Sequence, residues 1–293
     1  MSKLIKEYGI LVGVDGSPES DLAVQWAAHE AVMRKLPVTL MHVIAPVVVS
    51  WPVKYLEASY HEWQEENAKD LIKQATKNLI AAAHEDELPF VRTEVQHDGI
   101  ATALVGATRK AHMIVVGSRG LGPVGGALLG SASRGLLHYA RCPVAVIHAR
   151  GIKTPDGAAP VVLGIDGSPA SESATALAFD EASRRGVDLV AIHAWSDVGL
   201  FPILGMDWHR YEDEGHALLA ERLAGRQEQY PDVHVHRRIV CDGPARWLLD
   251  ESRQAQLVVV GSRGRGGLSR TLLGSVSTTV AESAKSPVIV VRS

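Results

Sequence analysis

The sequence predicts an α/β fold of two tandem doubly wound domains, each with a parallel sheet flanked by helices. Three observations support this prediction. The first half of the chain recurs in the second, short apolar segments alternate with segments of helical period, and the best-repeated residues stand at the ends of apolar segments. Strands that alternate with helices are typical of parallel sheets with right-handed crossovers.

The internal repeat is collinear along most of the chain. Val12–Ser20 returns as Leu163–Ser171 at an offset of 151 residues, whereas Val115–Gly120 returns as Val259–Gly264 at an offset of 144, so the second copy is seven residues shorter. A fixed self-similarity of this kind indicates repeated structural units. The expected division is a first domain over residues 1–150, a linker over 151–160 and a second domain over 161–293.

The first strand and helix of each copy are marked by a turn signal. Ile10–Val14 is a short apolar run, and Ser17 followed by Pro18 is typical of a helix N-cap and first turn. The apolar positions that follow Pro18 recur with a helical period rather than alternating. The second copy repeats this pattern from Val161.

The remaining elements of the first copy continue the alternation. The fourth strand is nearly all apolar, as expected for a strand covered by helices on both faces. The predicted strands are Ile10–Val14, Val38–Val43, Phe90–Val95, Met113–Gly117 and Val144–Ile147. The later helices are predicted over Ala58–His84, Ile100–Lys110 and Ser131–Tyr139.

Bulk composition argues against several classes of protein. Thirty basic and thirty-three acidic side chains give no net field that would favour nucleic acid or anionic lipid. Apolar runs such as Val144–Ile147 are far shorter than the roughly 20 residues of a membrane span, and the N-terminus leaves no room for a signal peptide. Cys142 and Cys241 stand alone, without a CxxC motif. We therefore expect a cytoplasmic protein.

The best-repeated polar and glycine residues stand at the ends of two strands. Asp15 and Gly117 occupy the ends of strands one and four, and Asp166 and Gly261 occupy the same places in the second copy. Ligands of such sheets bind outside the carboxyl ends of the strands, where the winding direction reverses. The two aspartates have a second interpretation, in which they only order the turn before the helix.

A glycine-rich loop follows the fourth strand of each copy. The first copy reads Gly117-Ser-Arg-Gly120, nine further residues and then Gly130-Ser131. The second reads Gly261-Ser-Arg-Gly264, nine further residues and then Gly274-Ser275. Glycine lets a backbone approach a ligand without a Cβ in the way. The alternative is that each loop is only a tight turn and binds no ligand. This alternative is weakened because both loops keep the same spacing of glycines.

The residues after each loop are suited to an anion. Ser131 and Ser275 open helices, whose unpaired N–H groups and dipole attract negative charge. Successive amides, together with the hydroxyls of these serines and of Ser133 and Ser277, can form a nest for phosphate oxygens. The loops are therefore predicted to hold the phosphates of a nucleotide.

Other polar residues are less specific. Arg119 and Arg263, inside the loops, either add a charge-assisted contact or point into solvent. His234 and His236 share one face of a strand but lack a third ligand, and the first copy has no counterpart. The sequence thus predicts no metal site formed by protein side chains.

On these residues the chain resembles the universal stress protein family, in its tandem-domain form. The resemblance covers nearly the whole chain, with one family domain in each half. The family's ATP-binding members carry a G-2x-G-9x-G-[S/T] signature, and both halves match it completely. The resemblance implies a five-stranded parallel sheet of the adenine nucleotide alpha hydrolase-like type. It also implies ATP with Mg²⁺ at the carboxyl ends of the strands.

The resemblance assigns roles to matched positions in each half. Asp15 and Asp166 correspond to the aspartate on the adenosine side, Val43 and Ala194 to the residue whose backbone meets adenine, and Gly117 and Gly261 to the glycine near the ribose. The phosphate-contacting set is Gly120, Gly130, Ser131 and Ser133 in the first half and Gly264, Gly274, Ser275 and Ser277 in the second.

Catalytic signatures are missing from the sequence. There is no Walker lysine, no kinase signature and no GxSxG elbow. We expect an ATP-binding regulatory protein of the stress or dormancy response, not an enzyme. A weak ATPase or autophosphorylating enzyme, and a ligand-free structural or chaperone-like module, are the alternatives. An unknown protein partner is expected.

The family resemblance also implies pairing through the edge near strand five. That edge is Cys142–Ile147 in the first half and Ser286–Val291 in the second. We expect the two halves to form an intrachain pseudo-dimer and the chains to form a homodimer, because an apolar edge strand invites pairing.

Overall fold

The computed structural model describes residues 6–46, 57–83, 90–121, 129–149, 157–194, 209–241, 243–264 and 273–292. The chain divides into two compact units, Met1–Ala149 and Arg150–Ser293. A search of the described helices finds none with the length and apolar character needed to cross a membrane.

The first unit is a five-stranded parallel sheet in the order β3-β2-β1-β4-β5. Its strands are β1 (Gly9–Gly13), β2 (Val38–Ile44), β3 (Val91–His97), β4 (Ala111–Gly117) and β5 (Val144–Ile147). Its helices are α1 (Pro18–Arg34), α2 (Glu57–Ala83), α3 (Ile100–Ala107) and α4 (Ser131–Tyr139). The order reverses between β1 and β4, which places the topological switch point at the carboxyl ends of these two strands.

The second unit repeats this topology in the order β8-β7-β6-β9-β10. Its strands are β6 (Val161–Gly164), β7 (Leu189–Ala194), β8 (Val235–Val240), β9 (Leu257–Gly261) and β10 (Val288–Val291). Its helices are α5 (Pro169–Arg185), α6 (His209–Gln229), α7 (Pro244–Glu251) and α8 (Ser275–Ser283). The predicted fold class, with five parallel strands in each half, is confirmed.

The predicted third helix ends earlier than its apolar period suggested. α3 stops at Ala107 and continues as a 3-10 turn over Thr108–Lys110. The buried hydroxyl of Thr108 donates to the carbonyl of Val105 at 2.6 Å and accepts the N–H of Arg141 at 2.9 Å. A side chain that bonds nearby backbone in this way competes with the helical ladder.

Four of the strands are almost completely buried. Every residue of β5 and β9 is buried, as are all but one residue in each of β1 and β4. Helices cover both faces of these strands, so no face of theirs is left for alternating polar residues. The polar and glycine residues of the site therefore stand at the ends of these strands.

Candidate functional site

The turn between β1 and α1 is organised by Asp15 and Ser17. The Asp15 Oδ1 accepts the N–H of Ser17 at 3.0 Å, and the Ser17 Oγ accepts the N–H of Ser20 at 3.2 Å as the N-cap of α1. Gly16 has a φ of 81°, which favours glycine at that position. The turn-ordering role that was the alternative for Asp15 is therefore present in the structure.

The second unit builds the same turn. The Asp166 Oδ1 accepts the N–H of Ser168 at 2.9 Å, and the Ser168 Oγ accepts the N–H of Ser171 at 3.2 Å. Gly167 has the same φ of 81° as its counterpart. The two turns thus share these two hydrogen bonds and the positive φ of the glycine.

Asp15 also joins this turn to the glycine-rich loop. Its Oδ2 accepts the N–H of Leu121 at 3.3 Å. A Cβ on Gly120 would collide with the same carboxylate oxygen, and a Cβ on Gly264 would lie 2.5 Å from the Asp166 Oδ2. Each aspartate therefore excludes a side chain from the second glycine of the loop.

The loop returns to the end of the strand that it leaves. The N–H of Ser118 donates to Ile147 at 2.7 Å, and the N–H of Gly130 donates to the carbonyl of Ser118 at 2.8 Å. In the second unit Ser262 and Gly274 make the equivalent bonds at 2.7 and 2.8 Å. The first turn of α4 or α8 is thereby held beside the carboxyl end of β4 or β9.

These two helices begin without a side-chain cap. Gly130 and Gly274 are the N-cap residues of α4 and α8, and neither has a side chain to accept a hydrogen bond. In α4 the first intrahelical bond runs from Arg134 N–H to Gly130 at 3.0 Å. Within the described residues, the three preceding N–H groups, of Ser131, Ala132 and Ser133, have no acceptor. The helix start is therefore a positively polarised end of unsatisfied donors.

The structural need for glycine differs among the glycine positions of the loop. A Cβ on Gly117 would lie 2.7 Å from the Cβ of Glu19 and 2.8 Å from its carbonyl carbon, so the first turn of α1 requires a glycine there. A Cβ on Gly130 would meet no non-neighbouring atom closer than 3.6 Å, and the φ of Gly130 is −68°. Gly274 is similar, with a nearest distance of 3.5 Å and a φ of −66°. Neither crowding nor backbone angle within the described residues demands glycine at these two N-caps.

The hydroxyls of Ser133 and Ser277 are used inside the protein. The Ser133 Oγ donates to the carbonyl of Gly117 at 2.8 Å, and the Ser277 Oγ donates to that of Gly261 at 2.5 Å. Both serines are buried. Their main-chain N–H groups, rather than their hydroxyl protons, are available at the helix start. Ser131 and Ser275 are exposed.

In the first unit these elements enclose a cavity of 960 Å³ at the carboxyl ends of β1, β2 and β4. This volume is in the range of about 300–1,000 Å³ that is typical of small-molecule sites. All seven residues that the sequence predicted for the first site line this cavity, namely Asp15, Val43, Gly117, Gly120, Gly130, Ser131 and Ser133.

Several lining residues were missed by sequence reasoning. Asn67 and Leu71 of α2, Leu104 of α3 and Glu19 of α1 also line the cavity. No motif marks them, and only the helical period of α2 and α3 could have shown which of their faces turns toward the sheet.

The β2 side of the cavity is formed by Val43 and His42. The His42 Nδ1–H donates to the carbonyl of Val14 at 2.7 Å, and the His193 Nδ1–H donates to Ile165 at 2.8 Å. These imidazoles therefore tie the second strand of each unit to the end of the first. Ala194, the counterpart of Val43, is buried at the end of β7.

Arg119 is partly exposed and forms an ion pair within the cavity wall. Its Nη2 pairs with the Oε1 of Glu19 at 2.9 Å, and the Glu19 side chain is only 11% exposed. Both side chains line the cavity. The sequence left two orientations open for this arginine, and the structure shows a third, in which a carboxylate from α1 neutralises it.

No cluster of three or more potential metal ligands from His, Cys, Asp or Glu occurs in the described ranges. The imidazoles of His234 and His236 lie edge to face at 4.5 Å, and the His236 Nε2 contacts the Asp188 Oδ2 at 2.7 Å. About half of each of the His236 and Asp188 side chains is exposed. This group is an exposed face of β8.

The fold and this site define a class of tandem doubly wound α/β proteins with an uncapped helix start beside the switch point. The universal stress protein family model matches residues 9–148 and again 158–292. A universal stress protein of Mycolicibacterium smegmatis is 59% identical over 286 residues, covering 98% of this chain and 97% of the relative. The chain belongs to the universal stress protein family.

Two further comparisons agree with this assignment. A universal stress protein of Mycobacterium tuberculosis is 49% identical over 293 residues, covering 100% of this chain and 99% of the relative. The solved structure of a universal stress protein from Archaeoglobus fulgidus matches with a TM-score of 0.68 at 21% identity, covering 97% of this chain and 98% of that one. At this identity the last comparison supports the fold alone.

Proposed function

We propose that each domain binds one ATP, with the phosphates against the first N–H groups of α4 or α8. The nucleotide then acts as a signal: its presence changes the conformation or the partner choice of a regulatory protein of the stress response. We propose the cytoplasm as its location, because its two cysteines stand alone in the sequence.

The observation that carries this proposal is the pair of N-cap glycines. Gly130 and Gly274 have ordinary φ angles and room for a methyl group, yet both copies keep glycine. In a protein without a ligand, a serine, asparagine or aspartate at this position would also accept a main-chain N–H of the first turn. A glycine that leaves N–H groups uncovered is expected where a phosphate approaches the backbone.

The rest of the nucleotide is assigned to the remaining cavity wall. We place adenine against the main chain of Val43 and ribose near Gly117, since both line the cavity at the ends of β2 and β4. The Asp15 carboxylate already accepts two main-chain N–H groups. Its proposed role is to hold the turn and the loop in the conformation that the adenosine half requires.

Mg²⁺ fits this site only if the phosphates of the nucleotide supply most of its ligands. Asp15 and Glu19 are the carboxylates among the cavity-lining residues, and they are engaged by main-chain N–H groups and by Arg119 respectively. Mg²⁺ in nucleotide sites is commonly held by substrate phosphates and water with few protein ligands. When bound, it would reduce the charge repulsion within the triphosphate.

The same engagement argues against hydrolysis as the main activity. A phosphoryl-transfer enzyme needs a group that activates or orients the attacking nucleophile. Of the described residues that line the cavity, Asp15 and Glu19 are already paired, and His42 uses its Nδ1 for Val14. We therefore propose a binding protein, with the weak ATPase as the alternative that turnover measurements would reveal.

The test compares N-cap substitutions with a matched control. Gly130→Ala and Gly274→Ala each place a methyl group at a proposed phosphate contact, whereas Gly106→Ala makes the same change on an exposed helical position with nothing within 4 Å. Each N-cap variant is expected to weaken ATP binding at its own site about tenfold or more, which corresponds to about 1.4 kcal/mol.

Nucleotide released by heating freshly purified protein, followed by ATP titration of the stripped protein, supplies the readout. The control variant should match the unmodified protein, and the double N-cap variant should bind ATP more weakly at both sites. ATP binding that is equal in all five proteins would contradict the proposal, as would an unmodified protein that binds no adenine nucleotide.

A further inference from the structure

The two candidate sites differ at one charged position. In the first unit Glu19 pairs with Arg119 at 2.9 Å. In the second unit the repeat places Ala170 at the position of Glu19, and Arg263 at that of Arg119. At this position, therefore, a carboxylate beside the loop arginine is present in only one of the two copies.

The surrounding contacts establish that these positions correspond in space. A Cβ on Gly117 would meet Glu19 at 2.7 Å, and a Cβ on Gly261 would meet the main chain of Ala170 at 2.8 Å. The Ser17 Oγ lies 3.4 Å from the carbonyl oxygen of Arg119, and the Ser168 Oγ lies 3.0 Å from that of Arg263. The backbone frame is shared, so the difference lies in the side chain.

A second cation lies at the rim of the second site. A Cβ on Gly167 would collide with the guanidinium of Arg222 from α6, whereas the equivalent Cβ on Gly16 would meet the apolar side chain of Leu71 from α2 at 2.5 Å. Leu71 lines the first cavity. An arginine thus contacts the second turn where the first has a leucine.

One further difference lowers the positive charge of the second site relative to the first. Arg134 lines the first cavity, and the repeat places Thr278 at its position, where the Thr278 Oγ1 donates to Gly274 at 2.9 Å. The first set of Asp15, Glu19, Arg119 and Arg134 is formally neutral. The second set of Asp166, Arg222 and Arg263 carries one positive charge.

We infer that the residue at the position of Glu19 and Ala170 sets how strongly each site prefers a triphosphate to a monophosphate. This inference rests on the proposed function. In the first site the largely buried Glu19 carboxylate neutralises Arg119, which weakens the attraction of the arginine for phosphate. In the second site Arg263 has no carboxylate at that position and can add a charge-assisted contact to the outer phosphates. The second site is therefore the more selective for ATP over AMP.

Two exchange variants test the inference at single sites. Glu19→Ala is made in the Gly274→Ala background, in which the second site is weakened, and Ala170→Glu is made in the Gly130→Ala background, in which the first site is weakened. The ratio of the AMP and ATP dissociation constants is measured by titration. The ratio should rise on the order of fivefold for Glu19→Ala and fall by a similar factor for Ala170→Glu.

Matched controls separate this effect from folding and from net charge. Ala170 itself shows that the first turn of the helix accepts alanine, and Glu19→Gln and Ala170→Gln keep the size without the charge. Glu19→Gln should act like Glu19→Ala, and Ala170→Gln should leave the ratio unchanged. Asp21→Asn removes the other acid of the same helical turn, which bonds Asn78 at 3.1 Å, and should also leave the ratio unchanged.

The possible outcomes distinguish this inference from the proposed function. If both single-site proteins bind ATP but the ratio is the same in each and does not respond to either exchange, the inference is wrong and the proposed function stands. If neither site of the parent protein binds an adenine nucleotide, both are wrong.

Discussion

At the scale of single residues, the loop glycines divide by what their missing side chain makes possible. Gly117 and Gly261 allow the first turn of a helix to pack against the end of a strand, because any Cβ would lie 2.8 Å or less from main-chain or Cβ atoms of that helix. Gly130 and Gly274 have room around them. From the sequence, all four looked like positions where a backbone meets a ligand; the structure assigns a packing role to the first pair.

This division predicts different effects on stability. Gly117→Ala should lower the free energy of unfolding of the first domain by about 1–3 kcal/mol, because the new methyl group overpacks against Glu19. Gly130→Ala should change the free energy of unfolding by less than about 1 kcal/mol, since its methyl group meets only ordinary contact distances. Urea unfolding of nucleotide-stripped protein measures both. Equal destabilisation by the two variants would show that the packing argument is incorrect.

Cys142 illustrates how burial controls reactivity. Burial raises the pKa of its thiol to about 12, with Lys6 and the backbone near Ile114 acting weakly in the opposite direction. At pH 8 the reactive thiolate fraction is on the order of one in ten thousand. Cys241 is only half-buried.

We therefore expect an alkylating reagent at pH 8 to modify Cys241 in the folded protein well before Cys142. Both should react once the protein is unfolded in urea, where the Cys142 pKa returns to its ordinary value. Peptide mass spectrometry of samples taken over time measures the order. Early modification of Cys142 in folded protein would contradict the burial argument.

At the scale of elements, the two helix starts nearest the switch point serve opposite purposes. α1 and α5 have a serine N-cap whose Oγ accepts a main-chain N–H at 3.2 Å, so those starts are closed by the protein. α4 and α8 start at a glycine, which has no side chain to accept a hydrogen bond. This contrast appears in both units, which is why we assign the ligand to the second pair of helices.

The serine caps are expected to contribute to stability. Ser168→Ala should cost about 1 kcal/mol, because the N–H of Ser171 loses its acceptor. Ser173→Ala is the matched control, since its exposed hydroxyl bonds Pro169 in the same helical turn without capping it. Thermal and urea unfolding of the two variants gives the comparison. A loss from Ser168→Ala no larger than that from Ser173→Ala would show that the cap contributes little.

The sequence was sufficient to predict most strands and helices but only part of the candidate site. Strand starts and ends were predicted to within about two residues because apolar runs end abruptly at Gly and Asp signals. The Glu19–Arg119 pair could not be predicted, since the two residues are 100 positions apart and no local pattern joins them. The contributions of Asn67 and Leu71 were missed for the same reason: they depend on how α2 packs on the sheet.

At the scale of the whole molecule, the chain contains its own internal comparison. The bonds of the aspartate turn, the loop and the strand-two histidine agree between the units to within a few tenths of an ångström. The features that occur in both units are those we assign to nucleotide binding. Features that differ, chiefly Glu19 against Ala170, are those we assign to a difference between the sites.

The association of chains and of the two halves stays a prediction from the sequence. If the chains form a homodimer, light scattering should give the mass of two chains, about twice 31.4 kDa. A single-chain mass for the unmodified protein would contradict the predicted homodimer.

The central claim is that phosphate oxygens contact the first main-chain N–H groups of α4 and α8. Amide ¹H–¹⁵N spectra of stripped protein, titrated separately with Mg·ATP and with adenosine, test this claim most directly. We expect large shifts at Ser131–Ser133 and at Ser275–Ser277 with Mg·ATP, and small shifts there with adenosine, which lacks phosphates. Saturable ATP binding that leaves these six amides unshifted would contradict the account.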